Sequence, residues 1–138
     1  TLRVRKDAMT LLTIALFPTA LADEALDKKV TDALVETIEM TTAGNLDAWI
    51  EKYCDPKRCH DNASRGEFKN YQLKQANLKA KTCMTEDKKI TVTQRTGEVG
   101  SGSEVRWYIK CEGRMMPAAM RFRYDKDGDR VWFSHLGF

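Results

Sequence analysis

Between residues 24 and 42 an apolar side chain returns every fourth position, at Leu26, Val30, Leu34 and Ile38, with Ala33 and Val35 widening the stripe. That period brings side chains onto one side of a helical turn, so the segment predicts an amphipathic α-helix. Gly44 suits a helix stop, and Asn45 directly after it is placed to cap a second helix, residues 46–53, whose Leu46, Trp49, Ile50 and Tyr53 share one face. Residues 55–66 are rich in Pro, Asn, Ser and charge, and read as a loop. After Phe68 the period changes to alternation, with β-branched and aromatic residues between turn signals. Strands are expected at about residues 71–84, 88–96, 104–112, 117–125 and 130–136, although the Lys, Gln, Ala and Leu content of residues 72–81 also tolerates helix. The connections are Thr85-Glu86-Asp87, the glycine-rich 97–103 stretch, Gly113, and the hairpin signal Asp127-Gly128. Helices first and an antiparallel sheet afterwards define an α+β domain, with the apolar helix faces buried on one side of the sheet.

The beginning of the chain has a different character. Arg3, Arg5 and Lys6 precede the apolar run Met9 to Phe17, and Pro18-Thr19-Ala20-Leu21-Ala22 leads into Asp23-Glu24. A basic region, a short apolar core and a small-residue A-x-A site make a secretory signal, so residues 1–22 read as a signal peptide and residues 23–138 as one domain. The apolar segment is about 14 residues, short of the roughly 20 that a spanning helix needs, and no cysteine follows the cleavage site closely enough for a lipid anchor. A periplasmic or secreted bacterial protein without a membrane anchor is the expectation.

Charge refines this picture. Residues 23–51 carry a balance of −6 and residues 52–138 one of +7, so a near-neutral total of +1 conceals two opposite halves. The small total argues against nucleic acid as the partner. The asymmetry predicts an acidic helical layer and a basic sheet, either simply solvated or, on the sheet, an anion-binding surface. In residues 106–111, Arg106, Tyr108 and Lys110 alternate with Trp107, Ile109 and Cys111, which puts a basic face outward and an apolar face inward. The same reasoning groups Val131, Phe133 and His135 against Trp132, Ser134 and Leu136, and makes Trp49, Trp107 and Trp132 inner residues.

Four cysteines, an even number, fit disulfides in an oxidising compartment. Of three formal pairings, Cys54–Cys59 and Cys83–Cys111 are favoured. Asp55-Pro56-Lys57-Arg58 forms a turn between the first two, and the second two fall in separate strand-like segments. The C-x4-C spacing is not that of a redox C-x-x-C, and Cys54, Cys59 and His60 match no zinc-finger spacing, so no metal or cofactor is expected. Counted from Asp125, Arg130 and Leu136 stand where an EF-hand needs Gly and Glu, which rejects calcium binding of that type. Asn62-Ala63-Ser64 fits an N-glycosylation sequon, which matters only in a eukaryotic source.

At this point a resemblance emerges. Ala43-Gly44-Asn45-Leu46-Asp47-Ala48-Trp49-Ile50-Glu51-Lys52-Tyr53 looks like the second-helix region of the NTF2-like superfamily, and Met116 to Tyr124, the Asp-Gly turn and Arg130-Val131-Trp132-Phe133 are similar to its closing hairpin. The resemblance implies N-terminal helices packed on a strongly curved antiparallel sheet, an NTF2-like or cystatin-like roll. It also implies a cavity for a small apolar ligand, or a sheet face that binds a protein partner or a second copy as a homodimer. Trp49, Tyr53, Trp107, Trp132 and His135 are the candidate ligand-binding residues. No catalytic set assembles: an isomerase-type site needs a carboxylate base with hydroxyl donors, and Asp47 and Glu51 lack evident partners. A small non-enzymatic binding module is therefore the expected function. Alternatives are an isomerase or dehydratase with an acid/base group in the cavity, and a cystatin-type inhibitor, which the absence of a Q-x-V-x-G loop does not support.

Overall fold

The computed structural model describes residues 24–138; the expected signal segment 1–22 lies outside them. Helix α1 spans residues 24–42 and buries Val30, Ala33, Leu34, Thr37, Ile38 and Thr41, a continuous stripe at helical spacing. It ends at Gly44, which takes φ +82° while the Gly44 and Asn45 N–H groups bond back to Thr41 and Met40. Asn45 occupies the N-cap of α2, Leu46–Tyr53, as expected, yet its side chain makes no capping bond.

The chain then departs from expectation. Residues 71–84 are not a strand. Helix α3, Asn62–Phe68, continues through a π-turn, Lys69–Leu73, into α4, Lys74–Lys79, and closes in the 3-10 turn Ala80–Cys83. The first five residues of α3 thus occupy the end of the expected loop, with the Asp61 carboxylate accepting from Ser64 N–H at 2.7 Å as the N-cap. Its buried positions are Phe68, Leu73, Ala76, Ala80 and Cys83. The spacing is five residues across the π-turn and three or four thereafter. The extra π residue breaks the 3.6 period that reveals a helix in sequence, and also keeps Phe68 and Leu73 on the same face.

Four strands follow, β1 Val92–Thr96, β2 Val105–Ile109, β3 Ala118–Asp125 and β4 Arg130–Leu136, in an antiparallel sheet of order β1-β2-β3-β4. The architecture is α+β, three helical segments packed with one sheet. The sheet is not strongly curled. Strong curling requires bulges or glycine kinks repeated along long strands; these strands have five to eight residues, with one register shift at Val92/Gln94 and another at Arg121/Phe122.

Inside, the rings form a connected series. Trp107 meets Phe122 edge-on with centroids 5.3 Å apart, Phe122 meets Phe133 at 5.8 Å, Phe133 meets Trp49 at 6.0 Å, and Trp49 stacks on Phe68 at 5.6 Å. Trp49 is fully buried, and its Nε1–H donates to Thr37 Oγ1 at 2.9 Å. The expected packing of Trp49 on the inner sheet face is thus made through Phe133, with Trp107 two rings further on. Trp132 is a correction: it lies on the outer face, its indole N–H directed at Asp125 and its ring under the Arg130 guanidinium at 3.7 Å.

Both expected disulfides, Cys54–Cys59 and Cys83–Cys111, are formed, and among the described residues no cysteine is free. The first closes a loop over the outer edge of β4, where Asp55 N–H donates to Phe133 O at 2.8 Å. The second joins the end of the composite helix to the end of β2. No helix among the described residues is long and apolar enough to cross a membrane.

Candidate functional site

Two regions carry polar side chains in a concentrated arrangement. One is a cleft of about 520 Å³ between α1, the end of α2 and the β3–β4 hairpin. The other is the outer face of the sheet.

Apart from Arg130, whose guanidinium donates to the Lys52 carbonyl, the cleft's charges are matched. Lys29 Nζ meets both Asp129 carboxylate oxygens at 2.6 Å, Lys52 pairs with Glu36, and Lys28 pairs with Asp32 at 2.8 Å. Two tyrosines complete the network. Burial, followed by the Glu36 charge and hydrogen bond, pushes the Tyr53 hydroxyl well above its ordinary value. The hydrogen bond from Tyr124 to Asp129, with burial and the same charge, pushes Tyr124 up to about 12. The Lys29 and Tyr124 bonds hold the Asp129 carboxyl below its usual range. These shifts strengthen the ordinary ionisation states at neutral pH. They produce no acid or base poised near 7, which general acid–base catalysis needs. The cleft reads as a clamp that ties α1 to the hairpin.

On the outer face, β2, β3 and β4 place Arg106 opposite Arg121 and Arg121 opposite His135. Three basic residues thus stand in one cross-strand row, a juxtaposition that costs stability between like charges. His135 reaches this row through a bulge. The pairing jumps from Phe122–Phe133 to Arg121–His135, leaving Ser134 as the extra residue. The alternation expected from sequence, which grouped His135 with Val131 and Phe133, fails at this residue. Val131, Phe133 and Leu136 are buried, whereas His135 lies half-buried among the outer residues. Gly137 permits the close passage that follows: a Cβ there would sit 2.6 Å from the Ala119 carbonyl oxygen and 3.3 Å from His135 Nε2.

Burial, then the Arg121 and Arg106 charges, lower the His135 pKa, with Arg58 adding to them and Glu104 opposing. Glu104 accepts from Ser134 Oγ. Arg123, the next outward residue of β3, is spoken for: its Nε and Nη2 donate to the buried Asp55 carboxylate at 2.7 and 3.1 Å. Arg95 pairs with Asp27. Among the described residues, Arg106 and Arg121 have no carboxylate within salt-bridge distance; Arg106 donates only to Tyr108 Oη at 3.3 Å.

The five candidate ligand-binding residues do not converge. Trp49, Tyr53 and Trp107 are core, with Tyr53 also bordering the cleft, while Trp132 and His135 stand on the opposite side of the sheet. Sequence reasoning did not single out Arg121, Glu36, Tyr124 or Asp129. Arg121 was legible in principle as the outward neighbour of Phe122; the cleft residues come from three elements whose packing no local pattern records. No cluster of three or more His, Cys, Asp or Glu able to hold a metal occurs among the described residues. No family model, curated protein or solved structure matches this chain.

Proposed function

We propose that this chain is an exported, non-enzymatic binding module of NTF2-like type that works through the outer face of its sheet. The observation that carries this reading is the pair Arg106 and Arg121, adjacent across the ladder and without a described carboxylate at salt-bridge distance, while the cleft's Lys29, Lys52, Glu36 and Asp129 are paired with one another. Two further features support it. The interior is filled by packed rings from Trp107 to Phe68, which leaves the apolar cavity of an isomerase-like enzyme no room along that line. The two disulfides and the signal-like residues 1–22 support a periplasmic or secreted location. The order of helices followed by an antiparallel meander supports the superfamily resemblance.

The isomerase or dehydratase alternative would have to use the cleft, where Glu36 and Asp129 are both ion-paired. A photo-crosslinking residue introduced at Tyr108, on the face, and separately at Asp32, at the cleft, separates the two readings in cells that export the protein. Crosslinks to another polypeptide from position 108 and not from position 32 are expected. Crosslinks from position 32 alone, or from neither, would overturn the reading.

A further inference from the structure

We infer that the row Arg106, Arg121 and His135 docks an acidic segment of another polypeptide, and that the charge on His135 sets the strength of the grip. This deepens the binding-module reading and rests on it. Three observations argue for the site. The register aligns the three side chains on adjacent strands. The bulge at Ser134 turns His135 out of the alternation and into that row, the re-aiming for which bulges are recurrently used. The two arginines lack described carboxylate partners, in contrast to Arg95 and Arg123.

The chemistry of the face favours a carboxylate-bearing protein segment over a generic polyanion. Beside Ala119 and Asp125, whose carboxylate accepts from the Trp132 indole, its outward residues on β2 to β4 include Arg106, Tyr108, Arg121, Arg123 and Trp132, types enriched where proteins meet proteins, and the guanidinium fork matches a carboxylate with two parallel bonds. The groups facing His135 come from every neighbouring element: Arg106 on β2, Arg121 on β3, Glu104 before β2 and Arg58 in the disulfide loop. Arg114 from the β2–β3 turn donates to Gly137 O beside it at 3.3 Å. With Arg106, Arg121 and Arg58 close by, His135 is neutral at neutral pH. Acidification adds a third positive charge, and a bound carboxylate favours that protonated form by linkage.

The test uses the exported, disulfide-bonded protein and a fluorescein-labelled peptide of alternating Glu and Ala, titrated at pH 5 and pH 7.5 in low salt. The wild type is expected to bind about three- to tenfold tighter at pH 5, with affinity falling as salt rises. Arg106→Gln with Arg121→Gln should abolish binding at both pH values while raising Tm, because a like-charge contact is relieved. His135→Gln should keep the pH 7.5 affinity and lose the gain at pH 5. A Glu36→Gln control in the cleft should bind like the wild type.

Peptide binding unaffected by the double arginine change would overturn the site, and a pH gain that persists in His135→Gln would overturn the role of His135. Equal affinity for single-stranded DNA or phosphatidylglycerol vesicles would overturn the partner class. Salt-sensitive self-association abolished by the same changes would instead make the occupant the acidic helical layer of a second copy, against the inference. Failure of the peptide to bind at either pH overturns this inference alone, since crosslinking at position 108 tests the module reading without assuming acidic chemistry.

Discussion

Trp49 illustrates how one side chain can serve as both core and hydrogen-bond organiser. Its ring stacks on Phe68 and touches Tyr53 and Phe133, while its indole N–H meets Thr37, a threonine buried in the apolar stripe of α1. Thr41 Oγ1 in turn donates to the Thr37 carbonyl at 2.7 Å, and Asn77 Nδ2 donates to the Thr41 carbonyl at 2.7 Å, linking α1 to α4. Trp49→Ala should cost about 3–5 kcal/mol by urea denaturation, as large-to-small core changes do. Asp55 is the one buried charged residue among those described. Burial raises its pKa, but the Arg123 hydrogen bonds, the Lys57 N–H and the nearby positive charges outweigh that and hold the carboxyl below its usual value. A carboxyl depressed in the folded state stabilises above its unfolded pKa, about 4, and that contribution fades as pH falls through the folded value. Asp55→Asn should therefore cost about 3 kcal/mol at pH 7, leaving Arg123 without its counter-charge, and the gap to wild type should narrow below pH 4. Urea denaturation at pH 7 and pH 3 checks it; an equal gap at both would contradict the role given to the ion pair.

Elements were legible where the apolar period ran on, and an inserted residue hid either the element itself or the facing of its side chains. Helices α1 and α2 and strands β2 to β4 follow from the spacing of apolar residues and from Gly44 and Asp127-Gly128. The composite helix from Asn62 to Cys83 was missed because its π-turn spaces Phe68 and Leu73 five positions apart, so an expected strand took its place. The bulge at Ser134 has the same consequence in the sheet: one extra residue reverses the faces of every later position, and the sequence carries no mark of it. Of the candidate site, the basic outward face of β2 was readable, but its alignment with Arg121 and His135 depends on pairing. Deleting Ser134 should leave Phe122–Phe133, Arg121–His135 and Met120–Leu136 paired in a regular ladder, with His135 still outward and Leu136 still buried; slow amide hydrogen exchange retained along β4 checks it, and exposure of Leu136 would contradict the assignment of Ser134 as the extra residue. The Cys83–Cys111 bridge, spanning a separation of 28 residues, should contribute about 3–4 kcal/mol in the chain-entropy account. Replacing both cysteines by Ala and measuring denaturation checks that figure, with the shorter Cys54–Cys59 loop contributing less.

At the scale of the whole molecule, the charge asymmetry of the sequence becomes a polarity of the fold. Acidic residues of α1 and α2 line the helical layer, with Lys52–Glu36 tying α2 to α1 and Lys29–Asp129 tying α1 to the hairpin, and basic residues gather on the far side of the sheet. An open sheet with a filled interior keeps that far side available, whereas a strongly curled one would have turned its concave face to a cavity. The central claim, that function resides on the outer sheet face, is tested most directly by NMR. Amide shifts of the isotope-labelled protein, followed while an acidic peptide of alternating Glu and Ala is added at pH 5, locate the surface it occupies. The account predicts changes concentrated at Arg106, Tyr108, Arg121, Trp132 and His135, with Lys29, Tyr53 and Asp129 unmoved. Changes centred on the cleft, with the sheet face unperturbed, would contradict it.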